Sequence, residues 1–284
     1  MRQLNRPQKD KAKDNINLWD NIVSHKPRDR KSRLKKERPF VLKRYDHYQA
    51  NMHSLDNITP QVPELDETIA NDLRSCYGKN VVFNKARKEL YSDVLNADDR
   101  HCPYCRLNRI ATIDHYFDKG SYPEYSVFLP NLVPCCDECN RTKGSITFNA
   151  NHERQFVHFY FDSIPSYQFM FVHFSIDAHD NLPKVVIVLK FHAGEQNRQL
   201  IESHFGQLGL LKKYEETICE HLSVIREDIR LGKNRGFSIG QIRSLFEIEY
   251  NSRLKIYNCN HWEVCMYSGI LNSFGFIEQL YNCL

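Results

Sequence analysis

Between Ile113 and Gly144 the chain reads IDHYFDKGSYPEYSVFLPNLVPCCDECNRTKG. A carboxylate stands beside an imidazole at Asp114 and His115, asparagines follow at Asn131 and Asn140, and a Cys-x-x-Cys pair closes the stretch. A histidine titrates near neutrality and can take a proton from water. A carboxylate and an amide carbonyl are oxygen donors of the kind hard cations such as Mg²⁺ or Mn²⁺ prefer. Together these groups could activate a water and neutralise charge at a phosphodiester. An Asp-His pair alone is common and usually structural, so its setting decides what it means.

That setting is made by cysteines. Cys102-Pro-Tyr-Cys105 and Cys136-Asp-Glu-Cys139 are two Cys-x-x-Cys turns separated by 30 residues. Each turn places two thiolates side by side, and two turns complete a tetrahedron around Zn²⁺. Four thiolates leave no open coordination position, so a zinc here is structural and ties together the ends of the intervening segment. Cys135 could stand in for Cys136 at the cost of a three-residue spacing, and four unlinked buried thiols or a redox pair are the other readings. Of the remaining cysteines, Cys76, Cys219 and Cys283 carry no metal spacing and read as small hydrophobes. Cys259-Asn-His261-Trp-Glu-Val-Cys265 is a weaker metal candidate.

The elements that must position these groups follow locally. RIATI, ahead of Asp114, and LVPCC are short β-like runs, and CDECNRTKG can begin a helix carrying Asn140. Adjacent strand residues point to opposite faces, so Asp114 and His115 share one site only where the strand ends. Lys119, Arg141 and Lys143 are candidate phosphate contacts.

The pattern Cys-x-x-Cys, Asp-His, Asn-Leu, Cys-x-x-Cys-Asn, Lys-Gly resembles the HNH endonucleases, ββα-metal nucleases, in the subset with a tetracysteine zinc. The resemblance covers residues 100–147. It implies that His115 is the general base and that Asp114 is a ligand of the catalytic metal. It further implies that Asn140 is the second ligand, where many members have histidine, and that Asn131 holds the loop and orients the histidine. Asp118 departs from the pattern, since relatives often have proline there. DHYFDKGSYPEYSVFLPNLVPCCDECN is similar, more specifically, to effector nucleases that accompany an ATPase in bacterial anti-phage defence systems such as Septu and certain retrons. The alternative is a non-catalytic zinc-containing module that binds nucleic acid.

The whole chain bounds these readings. Its 284 residues, 41% hydrophobic and 12% aromatic, are enough for a sizeable core. No apolar run is long enough to span a bilayer, and the charged N-terminus lacks a secretory signal, which points to the cytoplasm. Residues 1–44 hold 15 Lys or Arg against 5 Asp or Glu, while the rest of the chain holds 24 against 30. A basic arm on an acidic body suggests contact with a polyanion, DNA being favoured, or a solvated extension. NINLWDNIV is the one helix expected there, since the rest is Pro-punctuated with no clear amphipathic period. Helices are expected after Pro63, with Leu65, Ile69, Leu73 and Cys76 on one face, and at FNKARKELYSDVLN, with Phe83, Ala86, Leu90 and Val94 buried. QFVHFYF, YQFMFVHFSID and KVVIVLKFH read as strands, with a turn at AHDNLP between the last two. Three further helices end the pattern, the third capped by Ser238, with one or two more after His261. The expected architecture is α+β: a basic arm at 1–45, a zinc-stabilised nuclease domain with preceding helices at 46–150, and a strand-then-helix region at 151–284 suited to docking a partner.

Overall fold

A computed structural model describes residues 3–60, 65–78, 80–94, 100–177 and 182–283. It is a mixed chain of many helices and two small antiparallel sheets, in two compact units that divide at Ser163 and Ile164. Among the described residues no helix is long and apolar enough to cross a membrane.

The first unit opens with α1 (Ala12–Ser24) and α2 (Arg28–Ala50), so the stretch expected to be an arm is built into the unit. On α1 the buried side is Ile16, Trp19, Ile22 and Val23, as the three-to-four spacing requires. α2 is absent from the sequence reading for a clear reason. Its first half buries only Leu34 among charged residues, and Pro39 lies inside the helix where it reads as a breaker. Val41, Tyr45 and Tyr48 then fix the second half to the core. Part of the basic charge meets acids within the unit. Arg30 and Arg33 each lie 2.7 Å from Asp72, and Arg44 lies 2.7 Å from the buried Glu124.

α3 (Glu67–Arg74), capped by Asp66, runs into a 3-10 turn at Ser75–Tyr77. Its buried face is Ala70, Leu73 and Cys76, while Leu65 and Ile69 are only half-buried. α4 (Val81–Val94) buries Phe83, Ala86 and Leu90 as its spacing predicts; the side chain of Val94 lies outside those described. A two-stranded sheet follows, β1 (Thr112–His115) against β2 (Leu132–Cys135), with Asp114 opposite Val133 and His115 opposite Leu132. α5 (Asp137–Lys143) leaves β2 directly.

The loop joining β1 to β2 is seated on α2 by aromatic rings. Tyr45 stacks on Phe128 at 4.2 Å, and Tyr48 meets Phe128, Tyr125 and Phe117 at 5.0, 5.1 and 5.6 Å. QFVHFYF, expected as a strand, is an irregular buried segment. Residues 156–161 are all buried, which the two-sided alternation of a half-covered strand cannot produce. Turns and side chains satisfy its backbone: Phe161 N–H donates to His158 O at 3.0 Å and His158 N–H to Asp162 at 2.7 Å.

In the second unit β3 (Met170–Ile176) pairs with β4 (Pro183–Leu189), as their composition predicts. The turn expected at AHDNLP lies largely outside the described residues. α6 (Arg198–Leu208), α7 (Leu210–Asn234), α8 (Ile239–Ile256), α9 (Trp262–Asn272) and α10 (Phe276–Cys283) follow. Ser238 and Gln241 form a capping box at the start of α8. α9 crosses β3 at Gly269, where a Cβ would come within 2.4 Å of the Val172 carbonyl oxygen.

His158 links these packing facts to pH. Its Nδ1 accepts from Tyr160 N–H, and its Nε2 lies 3.1 Å from the Tyr48 hydroxyl, which in turn lies 3.3 Å from the Pro130 carbonyl. Burial, with Arg154 nearby, holds its pKa well below the usual histidine value, so the folded ring is neutral. An unfolded histidine titrates near ~6.5. The stability tied to the neutral ring is therefore complete above that pH and is lost as pH falls below it. Denaturant unfolding at pH 7 and pH 5 should show the loss, of which His158 supplies up to about 2 kcal/mol. His158→Gln should shrink the difference by that amount; an unchanged difference would contradict this assignment.

Candidate functional site

The cysteines assemble as their spacing predicts. The sulfurs of Cys102, Cys105, Cys136 and Cys139 all lie within 4.8 Å of one another and are buried, a cluster that could hold a zinc ion. Zn–S bonds of about 2.3 Å in a tetrahedron need S···S edges of ~3.8 Å, and Cys105 and Cys136 are 3.9 Å apart. Hydrogen bonds from Cys102, Cys105 and Cys139 hold the Cys136 thiol below its usual range, while Cys102 and Cys139 are pushed above theirs. The first turn closes through Arg106, whose positive φ of 56° lets its N–H return to Cys102 O at 2.8 Å. Cys135 is buried but stands outside the cluster, which settles the choice between it and Cys136. Among the described residues Cys259, His261 and Cys265 form no such group. His261 caps α9 and the Cys265 thiol donates to Cys259 O.

Both turns reach directly into the Asp-His region. Tyr104, inside the first turn, donates its hydroxyl to Asp114 Oδ2 at 2.7 Å. Cys139, in the second, is followed on α5 by Asn140. Asp114, His115 and Asn140 line one cleft of about 440 Å³, with Tyr77, Thr112, Asp118, Lys119 and Gly144 among the other walls.

Asp114 is only 2% exposed and is aimed at α5, where Lys143 Nζ lies 3.1 Å from its Oδ1. Lys143 also donates to His115 O at 2.9 Å and is itself fully buried. Expected as a phosphate contact, Lys143 is instead a fixed counter-ion, because its ammonium is spent inside the frame. Lys119 and Arg141 are exposed, and among the described residues neither has an acid partner.

His115 is half-buried, and its Nε2–H donates to Ser126 O at 3.0 Å. A carbonyl only accepts, so in the neutral ring the lone pair lies on Nδ1. Burial, opposed by the Ser126 carbonyl and aided by Lys119 and Lys143, pushes its pKa down to about 4. Asn131 is fully buried and clamps the loop. It accepts from Phe117 N–H at 2.9 Å and donates to Phe117 O at 3.0 Å and Tyr125 O at 3.5 Å. Since Ser126 follows Tyr125, this clamp also sets the carbonyl that holds His115. Asp118 serves its own loop, accepting from Gly120 and Ser121 N–H at 2.8 and 3.0 Å.

In donor type Asp114 and Asn140 are of the kind a hard divalent cation takes, and both line the cleft. A carboxylate and an amide share a cleft with a neutral imidazole, and each carboxylate oxygen keeps a lone pair beyond the bond it accepts. Sequence reasoning missed Tyr104 and Tyr77. Tyr104 could have been found by asking what the inner residues of the first Cys-x-x-Cys contact. Tyr77, 38 positions ahead of His115, left no signal of its own.

Removing the Asn131 clamp should orphan the Phe117 N–H and C=O in a buried setting, at roughly 1–3 kcal/mol each. Asn131→Ala should therefore lower unfolding free energy by about 3 kcal/mol while bound zinc per chain stays constant. Unchanged stability would show that the loop is held otherwise.

The chain is similar to protein ea31 of Escherichia phage lambda, 26% identical over 221 residues, which span 74% of this chain and 71% of that protein. No protein-family profile matches the chain, and no solved structure matches it.

Proposed function

We propose that this chain is an HNH-type endonuclease with a ββα-metal core. It would hydrolyse phosphodiester bonds of nucleic acid, DNA in preference to RNA, with Mg²⁺ or Mn²⁺ as catalytic ion and zinc as frame. The observation that carries the reading is the convergence of His115, Asp114 and Asn140 on one cleft. His115 Nδ1 takes the proton of the attacking water. Its depressed pKa keeps the ring neutral across the physiological range, and an approaching phosphodiester anion raises its basicity toward the working pH. Asp114 and Asn140 would hold the divalent ion, which supplies charge neutralisation at the phosphate and the leaving oxygen. Tyr104 and Lys143 fix the carboxylate, and Asn131 fixes the loop behind the histidine. Arg141 and Lys119 meet flanking phosphates.

The resemblance to nucleases paired with an ATPase extends the reading to an effector in prokaryotic anti-phage defence. Among the described residues none lining the cleft comes from the second unit, which leaves that unit free for a docking role in this reading. A second reading, a zinc-containing module that binds nucleic acid without cutting it, is favoured by one observation. The Lys143 ammonium already neutralises Asp114.

Plasmid DNA incubated with Mg²⁺, Mn²⁺ or no divalent ion decides between them. Cleavage should require the ion, and His115→Ala should lower its rate by about 10²–10⁴-fold with fold and zinc retained. Cleavage by the mutant at the original rate would remove His115 from the chemistry. Salt-sensitive binding with no product under either ion would favour the binding module.

A further inference from the structure

A cationic wall runs along the cleft, with Tyr77 and Arg87 from ahead of the segment that carries the sequence resemblance and Lys119 from within it. Tyr77, from the turn after α3, sets its ring edge-on to His115 with centroids 4.4 Å apart. Phe83 of α4 packs against Tyr77 at 5.0 Å, and one turn further along α4 the Arg87 guanidinium lies 5.6 Å from the Tyr77 ring centre. From the loop after β1, Lys119 Nζ lies 5.2 Å from the same ring. That loop is tied to α3 by Arg74, which donates to Lys119 O and Gly120 O, each at 3.2 Å. Two cations from separate elements thus converge on one aromatic ring.

Among the described residues neither Arg87 nor Lys119 has a carboxylate partner. Some other cations of the same unit are paired, as Arg30 and Arg33 are with Asp72 and Arg44 is with Glu124. The ring offsets part of the repulsion between the two charges through its negative face. The remainder favours an anion, and the wall stands next to the imidazole that faces the scissile group.

The geometry points to Arg87, Tyr77 and Lys119 as the seat for a backbone phosphate adjacent to the one attacked. This rests on the nuclease reading and deepens it. The substrate class is a polynucleotide carrying a flanking phosphate, not a mononucleotide or a phosphomonoester. Tyr77 is a positioning residue for the two cations, and they supply the binding.

The test is binding of a fluorescein-labelled DNA duplex and its single strand, by anisotropy over a range of KCl with no added divalent ion, so that no cleavage intervenes. Arg87→Gln and Lys119→Gln should each weaken binding and lower the slope of log K against log salt by about 0.9 for the duplex. Arg87→Lys should restore the slope, and Tyr77→Ala should weaken binding without removing a full charge from it. Unchanged thermal midpoint and zinc content would show that the variants are folded. Wild-type slopes in both charge variants would overturn the phosphate seat and leave the nuclease reading standing. A wild-type protein that binds neither duplex nor single strand would overturn both.

Discussion

Four thiols within 4.8 Å of one another fix the relation between two distant pieces of chain, and each piece carries part of the candidate site. Through Tyr104 the first Cys-x-x-Cys turn grips Asp114, and the second turn begins the helix on which Asn140 and Lys143 stand. Two four-residue strands and a seven-residue helix bury too little apolar surface to hold such groups to a fraction of an ångström. A metal joining the four sulfurs would supply that rigidity through its coordination bonds. The carboxylate and the amide would then inherit their positions from the frame.

The loop between the strands is held from the other side by packing. Tyr45 and Tyr48 of α2 seat Phe117, Tyr125 and Phe128, and Asn131 clamps the backbone at Phe117 and Tyr125. This places the Ser126 carbonyl where it fixes the His115 tautomer. The histidine is therefore oriented by hydrogen bonding and aromatic packing, while the oxygen donors are oriented by the cysteine cluster. The buried Lys143–Asp114 pair joins the two halves, since the same ammonium also holds the His115 carbonyl.

Much of the site was legible because its signals are local. Cysteine spacing, the strand-like runs beside it and the asparagine after Cys139 are all within reach of pattern reasoning. The residues that support the site were less legible. α2 hides its buried stripe among charges and an internal proline, and the pairing of its arginines with Asp72 and Glu124 depends on tertiary approach. Lys143 has the composition of a surface charge, and only the orientation of α5 turns it inward. QFVHFYF shows the converse error, where β-forming residues fill a buried coil because no strand among those described pairs with them. Tyr77 reaches His115, and Arg87 reaches Tyr77, through the packing of α3 and α4, which no short spacing encodes.

The central claim is that one metal frames a second, oxygen-ligated metal site. Anomalous diffraction from crystals soaked in Mn²⁺, with data at the zinc edge and at a wavelength where manganese scatters, tests it most directly. The account predicts a zinc peak among Cys102, Cys105, Cys136 and Cys139, and a separate manganese peak between Asp114 and Asn140. A zinc peak with no manganese at Asp114 would contradict it and leave a framed but metal-free cleft.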